Sequence, residues 1–377
     1  MRFRDLSGQE ALTSKLVQEL QSGRTAHAYL FHGPPGSGQL PLAWAFASYI
    51  FCEDPGTDSC GSCDRCQRMA KLAHPDLHFS FPFIKRSGKQ ENSEPLQSLF
   101  RETLCKDPFI SLEKWLRETG EENKQGVIPV AESERIVESL NLKAYEGDKK
   151  LMLIWMAEKL NPEAANKLLK ILEEPPPDTI FILLSEDPSA ILPTIRSRTR
   201  ISPLAPLSDE AVKENLLHFA GLGEEEVEKI AGPADGDMGL AMELAIQADS
   251  GEYFQEFTRW MRICFKGTIP DGMEWVESVA SKGREWHKNL LVYGLHILRQ
   301  CMLHNHVDRS KVRASEEERK FEEKFRHYVP ATQLPTLTGI FEEACADIER
   351  NGNPRILFFD TTLQVIRSFS QVQGGRS

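Results

Sequence analysis

The sequence has no long apolar run and no surplus of positive charge. None of its stretches reaches the roughly 18 consecutive apolar residues that a membrane-spanning helix needs. Its first residues are charged and do not form the apolar core of a secretory signal. The net charge of −11 argues against a broad basic surface that would bind nucleic acid unaided. These absences predict a cytoplasmic protein without a membrane segment.

The composition is otherwise that of a globular protein. A length of 377 residues with 40% apolar and 27% charged residues predicts two or three domains with their own cores. The chain contains eight cysteines. In a cytoplasmic protein they favour thiols or a metal site over a disulfide framework.

A glycine-rich turn lies between an apolar run and a helical pattern. Residues 33–40 read GPPGSGQL, and the order strand, turn, helix is the setting of a phosphate-binding loop. In such a loop backbone N–H groups converge on an anion, while a Lys and a Ser or Thr complete the site. Here Gln39 and Leu40 replace those two side chains. We predict a vestigial phosphate loop, and the sequence leaves ATP binding itself open. Its glycines are Gly33, Gly36 and Gly38.

A second part of an ATPase site is also missing. Residues 151–156 form a continuous apolar run, which predicts a central parallel strand. In a working P-loop ATPase this strand ends in Asp-Glu, whose carboxylates support Mg²⁺ and polarise the attacking water. Trp155 and Met156 stand at those positions. Because two independent sets of catalytic side chains are absent, we predict that the chain does not hydrolyse ATP.

Half of the cysteines are closely spaced. Their pattern is C-x7-C-x2-C-x2-C, and four thiolates can close a tetrahedral Zn²⁺ site with no open position for water. The spacing predicts a structural zinc site, with reduced free cysteines as the alternative. The predicted ligands are Cys52, Cys60, Cys63 and Cys66.

Residues 168–176 read LLKILEEPP, which resembles a signature of the bacterial clamp-loader family of DNA polymerase III. Residues 23–38 resemble the family's segment around the phosphate loop, and the clustered cysteines resemble its zinc module. Residues 197–199 are Ser-Arg-Thr, similar to the family's Ser-Arg-Cys motif with Thr in place of Cys. The resemblance is strong over residues 1–205, fair to about residue 248 and weak by motif beyond.

The resemblance implies an α/β fold followed by helical domains. It implies an AAA+ P-loop domain with a parallel sheet and the zinc module over residues 1–203. A small helical lid would cover residues 204–248, and an all-α collar for oligomerisation residues 249–377. Residues 85–124 read as an insertion with one or two short helices, to which the sequence assigns no function.

Within the family, the losses match the stator subunit, which does not hydrolyse ATP. A third loss agrees, because Gly239 stands where the second sensor of the family has Arg. The resemblance implies that Arg198 is an arginine finger, which reaches the γ-phosphate of ATP on a neighbouring ATPase subunit. The implied partners are the gamma/tau ATPase subunits and the delta subunit, and through the complex the sliding clamp and primed DNA.

Three alternatives remain open at this stage. The chain could be a catalytic AAA+ ATPase with unusual residues. It could be a zinc-containing nucleic-acid-binding protein, for which Arg65, Arg68 and Lys71 near the cysteines would supply positive charge. Finally, Arg196 and Arg198 could brace a domain junction through ion pairs without reaching another subunit.

Overall fold

A computed structural model describes residues 1–85, 91–120, 124–146, 149–247, 252–303, 321, 324–325, 329, 333–350 and 352–374. The chain forms two compact units. The first contains residues 1–221 and 235–242, and the second contains residues 222–234 and 243–377. The predicted domain boundaries after residues 203 and 248 stay predictions, and residue 248 lies outside the described residues.

The first unit is built on a parallel sheet of five strands, in the order β2-β3-β4-β1-β5. Every pairing between neighbouring strands is parallel. The predicted strand at residues 151–156 corresponds to β3, which ends two residues earlier. The strands are β1 (Ala28–His32), β2 (Leu77–Ser80), β3 (Lys150–Ile154), β4 (Thr179–Ser185) and β5 (Arg200–Pro203).

Helices cover both faces of this sheet. One face carries α2 and the insertion, and the other carries α6 and α7. Because apolar layers lie on both sides, β3 and β4 are buried along their whole length. The helices are α1 (Glu10–Gln21), α2 (Gln39–Phe51), α3 (Asp64–Ala70), α4 (Gln97–Lys106), α5 (Leu112–Glu118), α6 (Val130–Asn141), α7 (Pro162–Glu173), α8 (Pro193–Arg196) and α9 (Asp209–Phe219). The predicted α/β fold class, a domain with a parallel sheet followed by helical segments, is confirmed.

The predicted insertion contains two helices, α4 and α5, which pack into the core of the sheet. Phe100 of α4 stacks on Phe81, with ring centroids 4.0 Å apart. The indole Nε1 of Trp115, in α5, donates a hydrogen bond of 2.8 Å to the carbonyl of Pro82. Both Phe100 and Trp115 are fully buried. The described part of the insertion is therefore integral to the fold. Residues 86–90 and 121–123 lie outside the described residues.

A buried carboxylate fastens the start of the insertion to α6. Glu132 is fully buried and accepts hydrogen bonds from the backbone N–H of Ser93 (2.7 Å) and from its hydroxyl (2.8 Å). Arg135, one turn further along α6, forms an ion pair with the same carboxylate at 2.6 Å. The Arg135 guanidinium also donates to the carbonyl of Phe79 in β2. This network joins insertion, helix and sheet.

The second unit is helical over its described residues. Its core contains Trp260 and Trp275, which stack with ring centroids 4.7 Å apart. Trp260 also donates a hydrogen bond of 2.9 Å to the hydroxyl of Thr362. The helices are α10 (Glu224–Ala234), α11 (Met238–Gln247), α12 (Glu252–Lys266), α13 (Ile269–Ala280), α14 (Arg284–Leu303), α15 (Leu334–Glu349) and α16 (Pro354–Gly374). The first residues of α11, 238–242, belong to the first unit.

Within the described part of the chain, no helix combines the length and apolar character needed to cross a membrane.

We predict that Glu132→Ala lowers the free energy of unfolding by about 3–5 kcal/mol, because it leaves the Arg135 guanidinium, whose side chain is only 14% exposed, without its carboxylate. Chemical denaturation measures this change. Glu134→Ala is the matched control, since Glu134 lies on the same helix in a half-exposed pair with Lys167. Such a pair contributes at most about 1 kcal/mol. Equal losses for the two variants would contradict the role assigned to Glu132.

Candidate functional site

The loops that follow β1, β3 and β4 meet at the carboxyl edge of the sheet. This edge is where parallel α/β sheets bind ligands. The N–H of Gly33, directly after β1, donates to the carbonyl of Ser185 at the end of β4 (3.2 Å). Trp155 and Met156 follow β3, and both line the small cavity beside the glycine-rich loop. The two residues that stand at the positions of the missing acids therefore lie beside the glycine-rich loop.

The glycine-rich loop is closed on itself by Gln39. Its side-chain amide donates to the carbonyl of Gly33 at 2.7 Å and to that of Pro34 at 3.1 Å. A lysine at this position would carry a positive charge towards a phosphate. The Gln39 amide instead satisfies two backbone carbonyls of its own loop. Gly36 and Gly38 have φ of +67° and +92°, a backbone conformation that favours glycine.

The segment at residues 235–242 lies directly against this loop. The N–H of Met238 donates to the carbonyl of Gly36 at 3.2 Å. A Cβ atom at Gly36 would come within 2.0 Å of Asp237 Oδ1. The Asp237 carboxylate in turn accepts a hydrogen bond of 3.1 Å from the N–H of Leu240. Backbone from a distant part of the sequence thus packs where a side chain on Gly36 would otherwise extend.

The space beside the loop is small. The cavity measures about 30 Å³, whereas small-molecule pockets usually measure about 300–1,000 Å³. Residues 108–110 of the insertion line it together with the loop, Trp155 and Met156. Phe109 is buried, and its ring would lie 3.6 Å from a Cβ atom at Gly38. In this conformation the pocket is filled by the chain itself.

At the catalytic positions after β3 the cavity is lined by Trp155 and Met156, whereas the acid among its lining residues, Glu186, follows β4. Glu158 is displaced from the catalytic positions, as the sequence predicts, and does not line the cavity. Its carboxylate accepts a hydrogen bond of 3.0 Å from the N–H of Glu186. Burial raises the pKa of Glu158. The Glu158 carboxylate therefore stabilises the loop after β4 and does not line the cavity beside the glycine-rich loop.

The predicted arginine finger lies at the end of α8, away from the cavity. The Arg198 guanidinium forms an ion pair with the carboxylate of Glu173, the last residue of α7. It also donates to the carbonyl of Thr194 at 2.8 Å. The Arg198 side chain is 33% exposed. Arg196, the last residue of α8, donates to the carbonyl of Pro188 in the loop after β4 at 3.3 Å. The role of Arg198 in another subunit's site stays a prediction.

The four clustered cysteines converge as a metal site requires. Their sulfur atoms all lie within 4.8 Å of one another, and the sulfurs of Cys60 and Cys66 are 3.8 Å apart. Tetrahedral Zn²⁺ with Zn–S distances of about 2.3 Å places its sulfurs about 3.8 Å apart. The N–H of Cys63 donates to the Cys60 sulfur, and that of Cys66 donates to the Cys63 sulfur, each at 3.4 Å. The group formed by Cys52 and these three residues can hold a metal ion.

The surroundings shift the pKa values of these thiols in both directions. The backbone N–H groups of Cys63 and Ser62 lower the pKa of the Cys60 thiol to about 6. Burial raises the pKa of Cys52 and of Cys66. A metal ion would favour the thiolate at all four positions. Asp58 lies in the same module, and its carboxylate accepts the N–H groups of Phe3 and Arg4 at 3.1 Å each.

Sequence reasoning missed three residues that shape the site. Phe109 fills the cavity, Asp237 packs on the loop, and Glu173 pairs with Arg198. For Phe109 the sequence carries no signal, because it reaches the loop only through tertiary packing. Asp237 lies two residues before Gly239, in the stretch that resembles the second sensor of the family. Glu173 was part of the quoted LLKILEEPP stretch, but its contact with Arg198 depends on how α7 and α8 lie together.

Comparison with known proteins identifies relatives of this chain. The family model described as "DNA polymerase III, delta subunit" matches residues 8–208. The Bacillus subtilis protein named DNA polymerase III subunit delta' is 31% identical over 202 residues, which cover 54% of this chain and 49% of that protein. The Escherichia coli protein of the same name is 35% identical over 193 residues, 51% of this chain and 46% of the relative. A Mycobacterium tuberculosis protein named subunit gamma/tau is 27% identical over 218 residues, 58% and 31% respectively. The chain spans about half the length of the delta' relatives it matches.

We predict that the purified chain contains about one Zn²⁺ per molecule, and that Cys63→Ser lowers this content severalfold by removing one of four ligands. Elemental analysis of both proteins after dialysis without chelator measures the metal. Cys105→Ser is the matched control, because Cys105 lies outside the cluster. A wild-type chain without metal, or equal metal in all three proteins, would contradict the assignment.

Proposed function

Because the chain belongs to the family of DNA polymerase III delta subunits, we propose that it is the delta-prime-type stator of a bacterial clamp loader. In this role it does not hydrolyse ATP and acts through contacts with other subunits. Its proposed partners are the gamma/tau ATPase subunits and the delta subunit. Through the complex it would help to load the sliding clamp on primed DNA during replication.

The observation that carries this proposal is the closed pocket at the glycine-rich loop. Hydrolysis of ATP needs a cation and a hydroxyl at the loop and carboxylates after β3. At those positions the chain has Gln39, Leu40, Trp155 and Met156, and the remaining cavity measures about 30 Å³. The chain keeps the architecture of an ATPase without room for its substrate, which supports a structural role within a family of ATP-driven machines.

The position of Arg198 supports a contribution in trans. Its side chain is one-third exposed and is held from two sides, by Glu173 and by the carbonyl of Thr194. An arginine finger needs a forked donor that is always charged. Both contacts lie within the chain, so the finger role requires Arg198 to exchange the Glu173 carboxylate for the γ-phosphate. We propose that Arg198 reaches the γ-phosphate of ATP on a neighbouring ATPase subunit.

The contacts near the cysteines favour a stator over an independent nucleic-acid binder. Arg68 forms an ion pair with Glu146. Arg65 donates to the carbonyl of Glu146 at 2.9 Å and lies 3.7 Å from the carboxylate of Glu53. Two of the three basic residues near the module are thus engaged within the chain. We propose that the metal is Zn²⁺ and that it stabilises the module without contacting DNA.

We predict that Arg198→Ala lowers the ATP turnover of the assembled clamp loader and leaves assembly intact. The site that receives the finger would lose about a thousandfold or more in rate. Steady-state phosphate release by the reconstituted complex, with clamp and primed DNA, measures the effect. Arg198→Lys should recover little, because an ammonium group lacks the planar fork.

Arg4→Ala is the control for this experiment, since Arg4 is an exposed arginine that also pairs with a carboxylate of its own chain, that of Asp58. It should leave turnover unchanged. Full turnover with Arg198→Ala in a correctly assembled complex would remove Arg198 from the proposed role.

We also predict that the purified chain alone releases no phosphate from ATP above the background of a buffer control. The physical reason is the absence of carboxylates after β3 and of space beside the loop. A rate that co-elutes with the chain through successive columns would contradict the stator proposal. The assembled complex, measured in parallel, provides the positive control.

A further inference from the structure

We propose that residues 107–111 are an internal plug of the former nucleotide pocket. These residues connect α4 to α5 at the tip of the insertion, to which the sequence assigned no function. The plug has two effects. It excludes nucleotide, and it ties the glycine-rich loop to α9 and to the segment at residues 235–242. Neither effect depends on the clamp-loader role.

The plug has a fixed shape because one carboxylate organises it. Asp107 Oδ1 accepts the N–H of Phe109 at 3.0 Å, and Asp107 Oδ2 pairs with the Lys114 ammonium at 2.5 Å. The Ser111 hydroxyl accepts the N–H of Lys114 at 3.1 Å and so caps α5. Asp107 is buried. The backbone at the tip is thus set by contacts within the insertion.

The helices on either side hold the plug against the sheet. Phe100 of α4 packs on Trp155, with ring centroids 5.6 Å apart. Trp115 of α5 packs edge-on against both Phe100 and Phe81, each at 5.1 Å. Trp155 occupies a position at which an ATPase has a catalytic acid. The insertion therefore packs directly on this replaced position.

Phe109 contacts three segments beside the former nucleotide pocket: the glycine-rich loop, α9 and the start of α11. Its ring lies against the glycine-rich loop near Gly38 and forms an edge contact with Phe219 of α9, with centroids 5.4 Å apart. Its carbonyl oxygen would lie 3.1 Å from a Cβ atom at Gly239. One residue of the insertion therefore touches the loop, α9 and the start of α11. These three elements are held together without any ligand.

Restoring the lost loop residues tests the exclusion of nucleotide. In the full-length chain, Gln39→Lys/Leu40→Thr returns the charge and the hydroxyl, and Phe109→Ala is added to open the pocket. Titration calorimetry with Mg²⁺ and ADP measures binding. We expect no measurable binding by the wild-type chain or the double variant, and saturable binding by the triple variant with a Kd at least tenfold below the detection limit of the assay. Phe83→Ala in the double background is the control, because Phe83 is equally buried but does not line the cavity.

Two outcomes overturn the exclusion. One is ADP binding by the double variant with Phe109 in place. The other is no binding by a triple variant whose circular dichroism matches that of the wild type.

Hydrogen exchange on a milder variant tests whether the plug holds the glycine-rich loop to the segment at residues 235–242. This test remains informative if the triple variant fails to fold. Asp107→Ala loosens the plug without changing any residue that lines the cavity. We expect the amides of residues 109–111, 38–42 and 238–241 to exchange at least tenfold faster together. Glu102→Ala, an exposed carboxylate on α4, should change none of them. Faster exchange at residues 109–111 alone, or at none of the three segments, overturns the tie.

Discussion

A carboxylate cannot stay charged against the aromatic rings of the insertion, and the rest of the pocket depends on this constraint. Trp155 stands at the end of β3 and packs on Phe100, which itself packs on Phe81 and Trp115. An aspartate at that position would be a buried charge without a partner, at a cost of several kcal/mol. The packed insertion and a catalytic acid therefore exclude each other. The apolar end of β3, the seated insertion and the filled cavity form one connected set of changes.

In the first unit the carboxyl edge of the sheet is buried, whereas Arg198 and the cysteine module lie outside its core. The carboxyl edge of the sheet, which in related architectures binds the ligand, has become part of the core. The features that remain available are Arg198, held at the end of α8, and the metal module beside the N-terminal residues. Asp58 binds the backbone of Phe3 and Arg4, so the module also fixes the start of the chain. Both features are held in place by contacts within the first unit.

Local patterns in the sequence predicted the strands, the glycine-rich loop, the cysteine cluster and the positions of the missing acids. Each of these depends on residues that are close in sequence or on the common edge of a parallel sheet. The contents of the pocket could not be predicted in the same way. Phe109 and Asp237 reach the loop from segments far away along the chain, and Phe109 has no spacing or residue type that marks it. The pairing of Arg198 with Glu173 likewise depends on how two helices lie together. The role of Arg198 and the domain boundaries stay predictions.

The position of Asp237 gives a second reason why the loop needs glycine at position 36. A methyl group at Gly36 would collide with the Asp237 carboxylate at 2.0 Å and with the N–H of Met238 at 2.4 Å. Packing against residues 237 and 238 of the same chain thus requires glycine at position 36, whether or not a phosphate binds. Selection on packing alone would preserve this glycine whether or not the loop takes part in catalysis. A motif search that scores it therefore cannot separate a phosphate-binding loop from a loop that makes room for neighbouring backbone.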